Sequence, residues 1–309
     1  MHGGFARCAA EVRGERGPAG GESRDRACGT PRRRSVLAGP SGVRGLGSPG
    51  LARCAGRAAI VVPGARGAAR PGTADPHRRS APAGPAATVV PVIDVRRAGE
   101  RYRGGDPQAG IDSRHAFSFG PHYDPDNLRF GAVIACNEER LAPGAGFDEH
   151  PHSHTEIVTW VVEGELTHRD STGRATTVRA GDVQHLSAAA GVRHTERNDG
   201  DTPLTFVQTW LAPLTQGGTP SYELVTGAAG TTPYAVTGAG ALLHVRRLAP
   251  GERAAVPDAP FVYAHVVRGD VRLAGEELRP GDSARITGAK GLEAEGVTPA
   301  ELLLWELTR

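Results

Sequence analysis

From Pro91 onward, short apolar runs recur at 157–162, 176–178, 204–210, 242–245, 261–267 and 302–307, separated by Gly, Asp and Pro. Runs this short, rich in β-branched residues and bounded by turn formers, predict strands. Asp170-Ser171-Thr172-Gly173 separates 166–169 from 174–178 as a hairpin turn, and Ala180-Gly181-Asp182 turns the chain into the next strand. Helical turns are expected only around 221–224 and in the last few residues. The fold class is all-β.

The pattern also repeats. Val161-Val162-Glu163-Gly164-Glu165-Leu166 resembles Val266-Val267-Arg268-Gly269-Asp270-Val271, and Val178-Arg179-Ala180-Gly181-Asp182 resembles Leu278-Arg279-Pro280-Gly281-Asp282. Thr209-Trp210-Leu211 is matched to Leu304-Trp305-Glu306. Two tandem β-barrels are therefore expected, over 91–212 and 235–309, joined by a linker at 213–234.

Composition sets the first 90 residues apart. They hold 15 Arg, no Lys, 3 Glu and 2 Asp, a net +10, whereas the whole chain is +2 and residues 91–309 thus carry −8. The segment is dense in Gly, Ala, Arg and Pro without periodicity, and a disordered leader is expected over 1–90. Arg32-Arg33-Arg34 is a poor export signal because Gly39-Pro40-Ser41-Gly42 and Arg44 break the apolar stretch that must follow. Leu51-Ala52-Arg53-Cys54 is a poor lipidation site because a charge precedes the Cys.

The acidic remainder is a poor match for a phosphate backbone, so no direct nucleic-acid binding by the folded part is expected. Cys8, Cys28 and Cys54 fall in the leader and Cys136 stands alone beyond it, which is neither a disulfide framework nor a zinc ribbon. No apolar run approaches the roughly 18 residues that span a bilayer. These features predict a cytoplasmic protein without a membrane segment.

The chemistry concentrates in two places. Residues 150–156 read His-Pro-His-Ser-His-Thr-Glu, and 194–196 read His-Thr-Glu. Alternate residues on a strand share a face, so His150 and His152 point together, as do His194 and Glu196. Two such strands facing each other in a barrel supply three imidazoles and one carboxylate to a divalent metal. His154 would add an imidazole on the same face. His154 and His185 are read as pocket-lining or surface residues. His168, beside the hairpin turn, is assigned no role. Without thiolates the donor set suits Fe(II) first, and also Mn, Co, Ni or Cu, with about two positions left for exchangeable ligands. Carrying the repeat offsets across puts Ala255 and Pro257 opposite His150 and His152, and Ala294 and Gly296 opposite His194 and Glu196. The second copy loses every proposed ligand, so the N-terminal barrel is expected to be the active one.

The segment Gly144-x5-His150-x-His152-x3-Glu156-x7-Gly164 resembles the first motif of cupins, and Gly191-x2-His194-x3-Asn198 the end of the second. Arg114-His115-Ala116-Phe117-Ser118-Phe119-Gly120, Tyr123-Asp124-Pro125, His150-Pro151-His152, 163–171 and 191–196 together resemble the pirin family of bicupins over 92–309. Ser153-His154 departs from the Arg followed by Gly or Asp that is usual there. The resemblance implies two cupin-type barrels, the first holding one divalent metal on His150, His152, His194 and Glu196. General cupins use the carboxylate that falls on Glu156, which here is given a supporting role, fixing a histidine tautomer. The activity implied is that of a quercetin 2,3-dioxygenase. A small aromatic substrate such as a flavonol would bind through a deprotonated hydroxyl, Glu196 or Glu156 would accept the proton, and dioxygen would open the ring with release of carbon monoxide. The alternative, implied by animal members, is a non-catalytic iron-dependent redox sensor or transcriptional co-regulator with a protein partner.

Overall fold

The computed structural model describes residues 91–228 and 232–309. The leader, with Cys8, Cys28 and Cys54, lies outside them. The strands run β1 (Val92–Arg96), β2 (Tyr102–Asp106), β3 (Ile111–His115), β4 (Val133–Leu141), β5 (Gly146–His152), β6 (Glu156–Glu163), β7 (Glu165–Asp170), β8 (Ala175–Arg179), β9 (Val183–Ser187), β10 (Val192–Arg197), β11 (Leu204–Leu211) and β12 (Ser221–Val225). They continue with β13 (Tyr234–Val236), β14 (Ala241–Leu248), β15 (Arg253–Ala255), β16 (Phe261–Arg268), β17 (Val271–Leu273), β18 (Glu276–Leu278), β19 (Ser283–Thr287), β20 (Glu293–Gly296) and β21 (Ala300–Leu307). Helical structure among the described residues is confined to short 3-10 turns.

A seven-stranded sheet, β12-β9-β6-β11-β4-β3-β2, and a four-stranded sheet, β5-β10-β7-β8, make the first barrel. A six-stranded sheet, β1-β19-β16-β21-β14-β13, and a four-stranded sheet, β15-β20-β17-β18, make the second. The order β9-β6-β11-β4 recurs as β19-β16-β21-β14, so the repeat read in the sequence is a repeat of topology.

Several boundaries differ from the sequence reading. Ser221–Val225 is strand β12 and pairs with β9, so the expected helical turn, inside the expected linker at 213–234, belongs to the first barrel. Tyr222, Leu224 and Val225 alternate onto different core clusters, which the edge of β9 rewards and an isolated helical turn would not. At the other end β1, inside the expected first barrel, pairs along its whole length with β19 of the second, and Ile93 and Val95 pack on that barrel's core. The expected helical turn at the C-terminus is likewise strand: β21 runs to Leu307.

The central strands are buried on both faces, which is why they read as continuous apolar runs. On β6, Ile157 and Val161 enter clusters inside the first barrel, while Val158 and Trp160 join the cluster shared with Leu243, Val245, Tyr263, Leu303 and Trp305 of the second. Trp160 also donates its indole N–H to Glu301 across this contact at 2.8 Å.

Strand register corrects the repeat in two places. Trp210 pairs with Ile157, whereas Trp305 pairs with Tyr263, the counterpart of Val158. Trp305 thus matches Thr209 and faces the inter-barrel contact, while Trp210 points the other way; a one-residue slip exchanges faces. Similarly, Glu196 pairs with His168 and Ala294 with Leu273, the counterpart of His168 in the repeat, so Ala294 matches Glu196 and not His194. The conclusion drawn from the comparison is unchanged by the shift. Ala254, Val256 and Ala294 belong to an apolar cluster that fills the second barrel where the first carries the proposed ligands.

Candidate metal centre

β5 and β10 are hydrogen-bonded neighbours in one sheet, not strands opposed across the barrel as the sequence reading had them. Gly146 permits their close approach, since a Cβ there would sit 2.5 Å from the Glu196 carbonyl oxygen. Cross-strand pairing and alternation then gather His150, His152 and His194. Their ring centroids are 4.8, 4.5 and 4.9 Å apart, and one nitrogen from each lies within 4.8 Å of the others. Glu196 converges with His194 and His168 in a second group of the same tightness. The Glu196 carboxylate is buried and held by the Gln208 amide, which donates to both oxygens at 2.9 and 3.0 Å.

The nitrogens are set up as lone-pair donors. His150 Nδ1 lies 2.7 Å from the Asp148 carbonyl oxygen, which only accepts, so that nitrogen carries the proton and Nε2 is free. His152 Nε2 and His194 Nε2 are buried without a hydrogen-bond partner, an arrangement that costs free energy unless something electrophilic fills it. Burial, reinforced by the neighbouring imidazoles, pushes both His152 and His194 down to about 3, so they are neutral at physiological pH. Three converging imidazoles, with a buried carboxylate beside one of them, fit a divalent transition metal.

The cluster opens on a cavity of about 480 Å³, within the range of small-molecule sites. Its aromatic wall is Phe119, Phe147 and Trp210, with His115 stacked on Phe119 at 4.6 Å. Its polar wall comes from β3, β4 and β11. Register pairs Ile111 with Leu141 deep in the barrel, then Ser113 with Glu139, then His115 with Asn137, so one face of the sheet changes from apolar to polar as it reaches the cavity. Glu139 is 5% exposed, accepts a short hydrogen bond from the Ser113 hydroxyl, and has no ion-pair partner among the described residues. Burial, with the Glu196 charge adding to it, pushes its carboxyl up to about 8.

Two of the residues singled out in the sequence lie elsewhere. Glu156 is not in the cavity wall; its carboxylate meets His185 Nε2 at 2.8 Å and accepts from the Ser187 hydroxyl at 3.1 Å. Glu156 opens β6 and points away from the cluster, so it fixes no tautomer of the three gathered histidines. His185 continues that separate network to the Tyr234 hydroxyl at 2.9 Å. His154 lies beyond the end of β5 with φ 53°, so strand alternation no longer applies and its exposed ring accepts from the Gly217 N–H instead of lining the cavity.

Sequence reasoning missed Glu139, Ser113, Gln208 and His168. Glu139 sits in Asn137-Glu138-Glu139-Arg140, which resembles a solvated charged stretch. His168 is wholly buried, with Nε2 3.1 Å from Asp170 and Nδ1 3.4 Å from His194 Nδ1. The spacing His168-x-Asp170 on a predicted strand was the available signal, and adjacency to the hairpin turn obscured it.

Comparison with known proteins agrees with this architecture. The Pirin family model matches residues 95–211, and a quercetinase C-terminal cupin domain model matches 239–307. The chain is 39% identical to a candidate quercetin 2,3-dioxygenase of Mycobacterium tuberculosis, across 71% of this chain and 96% of that protein. It is 41% identical to a quercetin 2,3-dioxygenase of Escherichia coli over 43% of this chain and 57% of the other. Among solved structures, the bacterial pirin YhhW of Escherichia coli in complex with nickel(II) superposes with a TM-score of 0.64 at 29% identity, covering 70% of this chain and 99% of that one. With both barrels matched in order and the relationship extending over nearly the full length of a relative, the chain belongs to the pirin family of bicupins.

Proposed function

We propose that this protein is a metal-dependent dioxygenase of the quercetinase type, acting on a flavonol or a similar enolisable aromatic. The observation that carries the reading is the pair of buried, partnerless Nε2 atoms of His152 and His194 at the edge of an aromatic-walled cavity. His150, His152, His194 and Glu196 would hold the metal, Fe(II) being our first assignment. When bound, such a metal supplies Lewis acidity toward a substrate hydroxyl and a place for dioxygen. Phe119, Phe147 and Trp210 present flat apolar surface to an aromatic ring and keep bulk water from it.

Glu139 takes the proton-accepting role that the sequence reading gave to Glu196 or Glu156. Its carboxyl faces the same cavity, and a value near 8 poises it to accept a proton from a substrate hydroxyl and return it near neutral pH. Gln208 holds Glu196 in place, leaving Glu139 as the cavity carboxyl free for proton exchange. The test is oxygen uptake and carbon monoxide release by the full chain loaded in turn with Fe(II), Mn(II), Co(II), Ni(II) or Cu(II) and given a flavonol. Turnover that depends on metal and flavonol is expected. No flavonol-dependent uptake with any of the five metals would refute the assignment.

A further inference from the structure

We propose that Asp170 and His168 are positioning residues that set the tautomer of His194, so that a lone pair rather than an N–H of His194 faces the histidine cluster. The inference rests on the metal role proposed for His194. The geometry is a buried chain: Asp170 Oδ2 lies 3.1 Å from His168 Nε2, and His168 Nδ1 lies 3.4 Å from His194 Nδ1. The side chains of His168 and Asp170 are 0% and 1% exposed. Asp170 acts as an acceptor on both oxygens, because Oδ1 takes the backbone N–H of Thr172 at 2.9 Å and its hydroxyl at 2.5 Å.

Direction follows from donor and acceptor inventory alone. A carboxylate only accepts, so His168 Nε2 must carry the proton. An imidazole whose N–H lies on Nε2 has its lone pair on Nδ1, and two facing ring nitrogens can bond only if the other one donates. His194 Nδ1 therefore carries its proton, which leaves His194 Nε2 as the lone pair, and that atom is buried and partnerless beside His150 and His152. A metal-binding histidine is tuned by whatever its second nitrogen meets. For His150 that partner is the Asp148 carbonyl; for His194 it is this chain. Because both ring nitrogens of His168 are engaged, His168 serves His194 and is not itself a ligand.

The second barrel supplies an internal comparison. On β7 and β10, His194 pairs with Asp170 and Glu196 with His168. On β17 and β20, Ala294 pairs with Leu273 and Gly296 with Val271. Val271 matches Leu166 in the repeat, so Leu273 stands where His168 stands and β17 ends before any counterpart of Asp170; Leu273 and Val271 both belong to an apolar core. The same barrel is built without the pair, and the pair is missing where the ligands are missing.

The experiment is nitrogen-15 NMR of the histidine rings in the metal-stripped full chain, followed by titration with Zn(II). In the wild type, His194 is expected protonated on Nδ1 and His168 on Nε2. Asp170→Asn presents an amide that can donate to His168 Nε2 and reverse the chain. It should raise the population of His194 protonated on Nε2 and weaken Zn(II) binding roughly 10- to 100-fold, with the melting temperature reporting that the fold is kept. Wild-type His194 protonated on Nε2 would overturn the proposal. So would an Asp170→Asn protein with unchanged tautomers and unchanged Zn(II) affinity, or a Zn(II)-induced shift showing His168 nitrogen bound directly. If Asp170→Asn does not fold, the wild-type tautomers alone decide. A wild type with the expected tautomers that binds no Zn(II) would support the relay while refuting the metal reading.

Discussion

Replacing Glu139 by Gln should convert a pH-dependent protein into a more stable and flatter one. Glu139 is buried beneath the cavity with the Ser113 hydroxyl as its hydrogen-bond partner, and its carboxyl is pushed from 4.5 up to about 8. The folded state therefore binds a proton that the unfolded state releases. Stability from this group is fully present below the unfolded value near 4.5 and is lost as pH rises toward 8. Linkage over that interval gives a loss of about 2.5 kcal/mol between pH 5 and pH 7, an upper bound because the site relaxes around the charge. Gln keeps the shape and cannot ionise, so that slope should vanish. His152 and His194 titrate in the opposite sense, their lowered values costing stability as pH falls through the ordinary histidine range, but they contribute equally to both proteins. The assay is urea unfolding of the metal-stripped wild type and Glu139→Gln at pH 5, 6, 7 and 8. The difference between them should widen steadily in favour of the variant, while flavonol turnover falls by about 10²-fold or more. Curves that stay parallel from pH 5 to 8 would refute the reasoning, because they would mean that Glu139 ionises in the fold at no cost.

Glu156→Gln should retain metal and turnover, with any change confined to stability, since Glu156 bonds His185 and Ser187 outside the cavity; a large loss of turnover measured alongside metal content would contradict this. His152→Ala and His194→Ala should each abolish tight metal binding by isothermal titration. Elemental analysis should find one metal per chain, because Ala254, Val256, Ala294 and Gly296 offer no donor side chains in the second barrel. Trp160→Phe should destabilise by about 2 kcal/mol in chemical unfolding, because it removes the indole N–H that reaches buried Glu301 at 2.8 Å.

The chain pattern by itself determined the all-β class, the duplication and the gathering of His150, His152 and His194, because these depend on period-two alternation and on short-range spacing. It also carried the loss of ligands in the second copy. Other features were illegible for a physical reason: they depend on which strands become neighbours. Glu139 looks like surface until β3 and β11 flank β4 and turn alternate residues into the barrel. Glu156 looks like a ligand by spacing, yet its carboxylate is drawn to His185 once β9 lies beside β6. His168 gained meaning only when β7 paired with β10. The expected boundaries failed for the same reason, since β1 and β12 join sheets on the strength of apolar contacts made far along the chain. Local sequence sets which face a residue takes within its own strand, and a slip of one position, as between Trp210 and Trp305, reverses it. Only the assembled sheets decide what that face meets.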